Sequence, residues 1–237
     1  MLIRRLHPDP AEVDTLDDYA VPDTDRHLRV NMVCGVDGGA AVEGRVGVLS
    51  GAADQVLLHE LRTLCDVLLV GAGTIRAEGY GPIRLSEEQQ QRRVAAGIAP
   101  VPRLAVLSRS LDLDLESPVF TKATARPILL TTAGASPHRR AEAAKMADLL
   151  DTDGLPDAID RLARTGLPRI LSEGGPHVLS QLYAAGLVDE LCLAIAPVVT
   201  GGEDLRITAG PPLKPPKMQQ LTAVSEREGF LFLRYNR

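Results

Sequence analysis

Aromatic residues are scarce in this chain of 237 residues, which has four tyrosines, three phenylalanines and no tryptophan. A core must therefore be built mainly from Ala, Val, Leu and Ile, and the hydrophobic content of 45% can supply it. The length allows one large domain or two small ones. Because we find no internal repeat and no Ser/Gly linker, we expect a single domain over residues 28–237. Residues 1–27, rich in Asp and Pro, are expected to be a loose N-terminal arm.

Basic residues are outnumbered by acidic ones, with 26 Lys and Arg against 31 Asp and Glu and a formal net charge of -5. A chain without a basic stripe cannot neutralise many phosphates, so we do not expect nucleic acid as the partner. This charge balance does not exclude a small anion, because a few arginines or backbone N–H groups can hold one.

Cysteine is also rare, and Cys34, Cys65 and Cys192 form no CxxC pair. This excludes a disulfide framework and a cysteine-rich zinc site, and the five histidines show no metal-binding spacing. We therefore expect no metal. The N-terminus has no apolar signal-peptide segment, and no apolar run approaches the ~20 residues that span a bilayer. These absences predict a cytoplasmic protein that does not contact membranes.

Strand-like and helix-like segments alternate through the middle of the chain, which predicts an α/β fold. The expected architecture is a mixed, mainly parallel central sheet flanked by helices, with a C-terminal antiparallel hairpin. The expected strands are residues 28–34, 66–70, 103–108, 126–132, 169–173 and 189–199, and the expected helices are residues 51–64, 137–146, 155–166 and 177–185. The long apolar strand 189–199 could be central, or an edge covered by a partner subunit.

A further helix is expected over residues 86–97, starting at a capping box formed by Ser86 and Gln89. Its middle is polar on all sides, which predicts a surface helix or a mobile flap.

Two glycine-rich turns follow predicted buried strands. The first contains Gly71, Gly73 and Thr74, and Tyr80 is the aromatic residue nearest to it in sequence. Ligands of open α/β sheets bind beyond the carboxyl ends of the strands, where glycines let a phosphate approach the backbone. Arg76 stands where a full dinucleotide fingerprint has its third glycine, so the first turn alone is compatible with a simple structural turn.

The second turn contains Gly174 and Gly175, which are followed by Pro176 at the expected helix start. This Gly-Gly pair could adopt a cis peptide bond. Glu173 precedes it at the strand end, where hydrogen bonding to the loop and a chemical role are both open. Two such turns in one sheet favour a nucleotide cleft.

Ser108 and Arg109 follow another predicted strand. Hydroxyl groups beside a guanidinium suit a phosphomonoester, which would favour the 2′-phosphate of NADP over NAD. A solvent-exposed turn is the alternative.

Two aspartates are candidates for catalysis. Asp54 lies in the first turn of the helix 51–64, on the same face as an apolar stripe. Such a carboxyl group can bind the amidine-like edge of a pyrimidine or pterin, or relay a proton. Asp37 lies in a Gly-rich turn after the first predicted strand, where it is either a simple turn residue or close to substrate.

Several enzyme classes are excluded by their missing motifs. The chain lacks the Tyr-x3-Lys pair of short-chain dehydrogenases, a GxSxG elbow, a Walker A loop and the zinc deaminase signature.

Four blocks in this order resemble the reductase half of the riboflavin-biosynthesis deaminase-reductases. They are VDGG at 36–39, HELRTLCDVLLVGAGT at 59–74, SEGGP at 172–176 and AGLVDELCLAIAPVVTGG at 185–202, and the resemblance extends over about residues 28–236. It implies a dihydrofolate-reductase-like fold, NADPH as hydride donor, a homodimer, and reduction of a ribosylaminopyrimidine phosphate to its ribityl form. The family usually has a lysine where this chain has Gly39.

The resemblance also implies roles for individual residues. Asp54 occupies the position of the pterin-binding acid of folate reductases. The implied cofactor-binding residues are Gly71, Gly73, Thr74, Ser108, Arg109, Gly174, Gly175 and Gly202. From their places in the sequence we add Asp37 as a second catalytic candidate and Glu173 as a cofactor-binding candidate.

We therefore expect an NADPH-dependent reductase of a pyrimidine, most closely a 5-amino-6-ribosylaminouracil 5′-phosphate reductase. The alternatives are a reductase acting on a pterin, a non-catalytic NADPH-binding module and a scaffold without a ligand.

Overall fold

The computed structural model describes residues 1–202 and 205–237, and these form helices around a mixed sheet of eleven strands. The strands are β1 (Leu2–His7), β2 (Ala11–Asp14), β3 (His27–Gly35), β4 (Val67–Gly71), β5 (Arg103–Leu107), β6 (Ile128–Thr131), β7 (Asp148–Asp151), β8 (Arg169–Ser172), β9 (Glu190–Ala196), β10 (Gln220–Arg227) and β11 (Phe230–Asn236). The helices are α1 (Thr15–Asp18), α2 (Ala52–Thr63), α3 (Ala72–Glu78), α4 (Glu87–Ala95), α5 (Pro118–Thr121), α6 (Pro137–Met146), α7 (Leu155–Arg164) and α8 (Pro176–Ala184).

The sheet has a parallel part and an antiparallel part. Its order is β2-β1-β10-β11-β9-β3-β8-β4-β5-β6-β7, and every neighbouring pair from β9 to β7 is parallel. The pairs on the other side of β9, including the hairpin β10–β11, are antiparallel. The predicted mixed, mainly parallel sheet with a C-terminal antiparallel hairpin is confirmed.

Helices cover both faces of the sheet because neighbouring strand residues point to opposite sides. In β4, Leu68 packs in the same core cluster as Leu57 of α2. The next residue, Leu69, packs in a second cluster with Leu179 of α8. A fully buried strand of this kind is an unbroken apolar run, and this is why DVLLV was recognisable in the sequence.

The N-terminal segment differs from the prediction. Regular structure does not begin at Leu28, because residues 2–7 and 11–14 form strands β1 and β2. Strand β1 pairs with β10, and Ile3 and Tyr19 are buried in the cluster that contains α2. The expectation of a loose arm is therefore wrong. The segment shows little periodicity, and the partner strand that orders it lies at the opposite end of the chain.

Helix α4 begins at the predicted capping box. The Ser86 hydroxyl accepts a hydrogen bond from Gln89 N, and the Gln89 side chain accepts one from Ser86 N. Of the two predicted alternatives, the structure agrees with a surface helix, because the side chains of α4 are exposed or half-buried apart from Arg93, which is 1% exposed.

The buried guanidinium of Arg93 donates hydrogen bonds to backbone carbonyls. Its partners include Thr63 O at 2.8 Å and Cys65 O at the end of α2, and Ala99 O at 2.7 Å beyond α4. These bonds satisfy carbonyls that a helix end leaves without intrahelical partners. Arg93 therefore ties α4 to the end of α2.

Strand β9 lies between β3 and β11 and is central, so the alternative of an edge strand covered by a partner subunit is wrong. In the part of the chain that the structure describes, no helix combines the length and the apolar character needed to cross a membrane.

We predict that Arg93→Met lowers the free energy of unfolding by about 2–4 kcal/mol, because it leaves several buried carbonyls without a donor. Arg92→Met is the matched control on the same helix. Arg92 is half exposed and pairs with Glu88 at the surface, so its loss should cost less than ~0.5 kcal/mol. Urea unfolding of both variants measures the difference, and equal losses would contradict the role assigned to Arg93.

Candidate functional site

A cavity of about 470 Å³ opens where β3, β4 and β8 end, at the carboxyl edge of the parallel strands. Of the predicted site residues, six line it. They are Asp54, Gly71, Gly73, Thr74, Glu173 and Gly175. Parts of the loop 36–50, among them Ala40, Ala41 and Val46, form another wall. This is the position at which open α/β sheets bind their ligands.

The two glycine turns lie against each other because β4 and β8 are neighbouring strands. Gly71 N donates to Gly174 O at 3.1 Å, and the predicted cis peptide bond joins Gly174 to Gly175. Two of these glycines lie close to neighbouring side chains. A Cβ on Gly175 would come within 2.9 Å of Thr74 Oγ1, and one on Gly71 within 2.9 Å of Val178 Cγ2. A larger residue at either position would therefore force a shift of that neighbouring side chain.

Asp54 reaches the cavity from the first turn of α2 and is only 3% exposed. Its Oδ2 accepts a hydrogen bond from the Ser50 hydroxyl, and its buried Oδ1 has no partner among the described residues. Burial raises the pKa of this carboxyl group, the Ser50 hydrogen bond partly offsets this, and the charge of Glu173 raises the pKa further. Asp54 is therefore a buried group that can hold a proton and whose Oδ1 has an unused hydrogen-bonding capacity.

Glu173 has a different environment. Arg62, in the last turn of α2, donates two hydrogen bonds of 2.6 Å to its carboxylate, one to each oxygen. Tyr80 donates a third from its hydroxyl group, and Arg62 Nη2 donates to that hydroxyl at 3.0 Å. Burial raises the pKa of Tyr80 well above its ordinary value, so its phenol is neutral. We refer to Arg62, Glu173 and Tyr80 as the polar network.

Sequence reasoning did not assign Arg62 or Tyr80 to the site. A signal for Arg62 was present, because it lies eight residues after Asp54 and therefore on the same face of α2. Asn31 was also missed. It lines the cavity from the middle of β3, and its buried Oδ1 has no partner among the described residues. The residues on both sides of Asn31 in the strand are apolar. The sequence alone therefore does not show whether Asn31 faces a cavity or a helix.

Asp37 and Gly202 do not line the cavity. The Asp37 carboxylate accepts hydrogen bonds from Thr200 N at 2.9 Å and Gly201 N at 2.8 Å, so it holds the loop after β9 against the loop after β3. Hydrogen bonds, first of all the one from Gly201 N, lower the pKa of Asp37. Gly202 follows in that loop with a φ of 74°.

Ser108 and Arg109 lie beyond the end of β5, which pairs with β4 so that Leu107 is opposite Gly71. Ser108 is buried and Arg109 is exposed. Both are thus one strand away from the first glycine turn, outside the cavity lining. Among the residues with a described position, no group of three or more His, Cys, Asp and Glu could hold a metal ion.

We predict that Asp37→Ala speeds amide hydrogen exchange at Thr200 and Gly201 several-fold, because both N–H groups lose their acceptor. The lowered pKa sets the sign of the pH effect. The ionised carboxylate protects the loop at neutral pH, and protection falls as pH drops through the pKa of Asp37. Asp160→Ala on α7 is the control, and unchanged exchange in Asp37→Ala would contradict this contact.

Comparison with known proteins shows the family to which this chain is similar. A sequence model of the RibD C-terminal domain matches residues 26–232. The 2,5-diamino-6-ribosylamino-4(3H)-pyrimidinone 5′-phosphate reductase of Methanothermobacter thermautotrophicus is 27% identical, with 76% of this chain and 82% of that protein covered. The enzyme of the same name from Archaeoglobus fulgidus is 26% identical over 75% and 83%.

Among solved structures, a pyrimidine reductase-like protein from Corynebacterium diphtheriae superimposes with a TM-score of 0.80 and 27% identity. It covers 94% of this chain and 98% of its own. The family match extends over most of the chain, from the start of β3 to within β11. The chain belongs to the RibD C-terminal domain family.

Proposed function

We propose that this chain is an NADPH-dependent reductase of a ribosylaminopyrimidine 5′-phosphate in riboflavin biosynthesis, most closely a 5-amino-6-ribosylaminouracil 5′-phosphate reductase. The observation that carries the proposal is one cavity in which Asp54, with an unpartnered oxygen, lies together with two glycine turns. The names of the archaeal relatives support the same reaction class.

The glycine turns fit the phosphates of NADPH. Helices α3 and α8 begin at these turns, and neither N-terminus has a side-chain cap. The first N–H groups of a helix lack intrahelical partners and attract anions. Since Gly71 and Gly175 carry no Cβ, the backbone itself forms the surface that a phosphate would meet. Gly73 and Thr74 belong to the first of these turns and Gly174 to the second, so they are predicted to contact the cofactor as well.

Arg109 and Ser108 are our candidates for the 2′-phosphate of NADPH. They lie at the end of β5, beside the first glycine turn, so a dinucleotide crossing the strand ends could reach them. An arginine can bind a phosphomonoester through two parallel hydrogen bonds.

NADPH, when bound, supplies a hydride, and reduction then requires a proton from another source. Asp54 is the group suited to this task, because burial favours its neutral form and its Oδ1 has no hydrogen-bond partner among the described residues. Glu173 is engaged differently, because Arg62 and Tyr80 donate three hydrogen bonds to its carboxylate.

A pterin is a second candidate substrate, because the free oxygen of Asp54 also suits the amidine edge of a pterin ring. Asp37 and Gly202 remain predicted site residues, with a role through the contact between the loop after β3 and the loop after β9. The homodimer, the cytoplasmic location and the single domain over residues 28–237 also stay predictions.

The direct assay is the loss of NADPH absorbance with the ribosylaminopyrimidine phosphate and, separately, with dihydrofolate. Turnover of the pyrimidine supports the proposal. Tight NADPH binding without turnover of either compound would instead favour a non-catalytic module.

We predict that Asp54→Asn lowers kcat/KM by about a hundred- to ten-thousandfold, the usual contribution of a general acid. In the unaltered protein kcat/KM should fall as pH rises through the raised pKa of Asp54, because the proton is then lost. This limb of the pH profile should disappear in Asp54→Asn. Asp160→Asn, on the exposed face of α7, is the control, and a retained limb in Asp54→Asn would assign the proton to another group.

We predict that Arg109→Gln raises the KM for NADPH about ten- to hundredfold, because one charge-assisted hydrogen-bonding partner is lost. The KM for NADH, which has no 2′-phosphate, should stay the same. Arg164→Gln is a control at an exposed arginine on α7. Equal effects on both cofactors would show that Arg109 does not read the 2′-phosphate.

A further inference from the structure

Helix α2 begins without a side-chain cap, although two polar side chains lie where a cap is usually found. Its N-cap is Gly51, and within the described part of the chain no side-chain cap hydrogen bond is made there. Ser50 directly precedes this residue. Asp54 is the third helical residue, the position from which an acidic side chain commonly reaches back to the N-cap N–H. The Ser50 hydroxyl instead donates to Asp54 Oδ2, so both side chains have a use other than capping.

Gln55 extends this contact into a chain of three side chains. Its Nε2 donates a hydrogen bond to Ser50 Oγ at 2.6 Å, and all three residues line the cavity. Gln55 is exposed, Ser50 is half-buried and Asp54 is 3% exposed. We refer to Gln55, Ser50 and Asp54 as the serine bridge. It connects the mouth of the cavity to a buried carboxyl group.

The order of donors in the serine bridge fixes the direction of the Ser50 hydroxyl. A hydroxyl group has one hydrogen to donate, and an amide NH2 group can only donate. Because Gln55 Nε2 supplies the hydrogen of one contact, the single hydrogen of Ser50 serves the other contact, to Asp54 Oδ2. Oδ2 is therefore an acceptor. In neutral Asp54 the acid hydrogen is then on Oδ1, which has no partner among the described residues.

Ser50 also has a distinct effect on the proton affinity of Asp54. Burial raises the pKa of Asp54, the Ser50 hydrogen bond lowers it, and the charge of Glu173 raises it. Charged residues of the loop 36–50 that border the cavity, Glu43 and Arg45, are exposed. Among residues with described side chains, the other titratable groups that line the cavity are Arg62 on α2, Tyr80 after α3, Glu173 after β8 and His177 on α8.

We propose that Ser50 is a positioning residue of the reaction. Held by Gln55, its hydroxyl keeps the transferable proton of Asp54 on Oδ1 and stabilises the carboxylate that remains after proton transfer. In this step the O–H bond at Oδ1 breaks, the proton moves to the substrate atom that becomes basic on reduction, and Oδ2 keeps its hydrogen bond from Ser50. This inference rests on the proposed function, because it concerns the acid of the same site.

The first measurement is the pKa of Asp54 in the protein without substrate, taken from the carboxyl-carbon NMR signal that is missing in Asp54→Asn. We expect Ser50→Ala to raise this pKa by about one pH unit, because the ionised form loses its hydrogen-bond donor. Ser50→Thr keeps the hydroxyl and should keep the pKa of the unaltered protein. Ser136→Ala, which removes a serine hydroxyl at the start of α6, is the matched control and should leave the pKa unchanged.

Gln55 is tested through a double-mutant cycle. Gln55→Leu should raise the pKa of Asp54 by less than Ser50→Ala does, because the hydroxyl is kept but no longer held. Combined with Ser50→Ala it should have no further effect, since Gln55 acts through Ser50. Gln91→Leu, at an exposed position of α4, is the control. The inference is wrong if Ser50→Ala leaves the pKa of Asp54 unchanged, or if the effects of the two substitutions add.

NADPH oxidation by the same variants separates this inference from the proposed function. In Ser50→Ala, the limb on which kcat/KM falls with rising pH should move to higher pH, in the same direction as the pKa of Asp54, while the KM for NADPH stays the same. A limb that stays in place while the pKa shifts contradicts the positioning role. A shifted pKa in a protein without turnover contradicts the reductase but not the serine bridge. Turnover without a shifted pKa supports the reductase and contradicts the serine bridge.

Discussion

Strand β8 hydrogen-bonds to β3 on one side and to β4 on the other, and the site depends on this double pairing. It places two turns that are far apart in sequence at one edge of the sheet, where Gly71 N reaches Gly174 O. The same register puts Glu173 beneath the end of α2, within reach of Arg62. Without β8 between the other two strands, neither the facing glycine turns nor the polar network could form.

The cavity contains two carboxyl groups whose different properties come from their surroundings. Glu173 is surrounded by donors, which satisfy its charge inside a partly dry site. Asp54 has one hydroxyl donor and is otherwise desolvated, so its neutral form is favoured. Because the charge of Glu173 also raises the pKa of Asp54, the polar network contributes to the proton affinity of the group across the cavity. The ion pair is thus part of the electrostatics of the proposed reaction.

Local sequence signals were sufficient for much of the fold. The buried run before Gly71, the capping box of α4 and the helix over residues 137–146 were each visible in a short window, because their determinants are a few residues apart. The same holds for Asp54, whose place near a helix start and on an apolar stripe marked it as a candidate. The features that the sequence did not reveal depend on long-range partners. Strand β1 is ordered by β10, and Arg93 by carbonyls around the end of α2.

The sequence by itself determined the alternation of strands and helices, the two glycine-rich turns, and the acid on α2. These depend on local geometry and on the spacing of apolar residues. Only the tertiary structure decided which of these features face one another. It brought Asp54 and the turns into one cavity, placed Asp37 in a loop contact instead, and added Arg62, Asn31 and Tyr80. The physical reason is that strand order depends on hydrogen bonds and burial between segments distant in sequence, and no local pattern records that pairing.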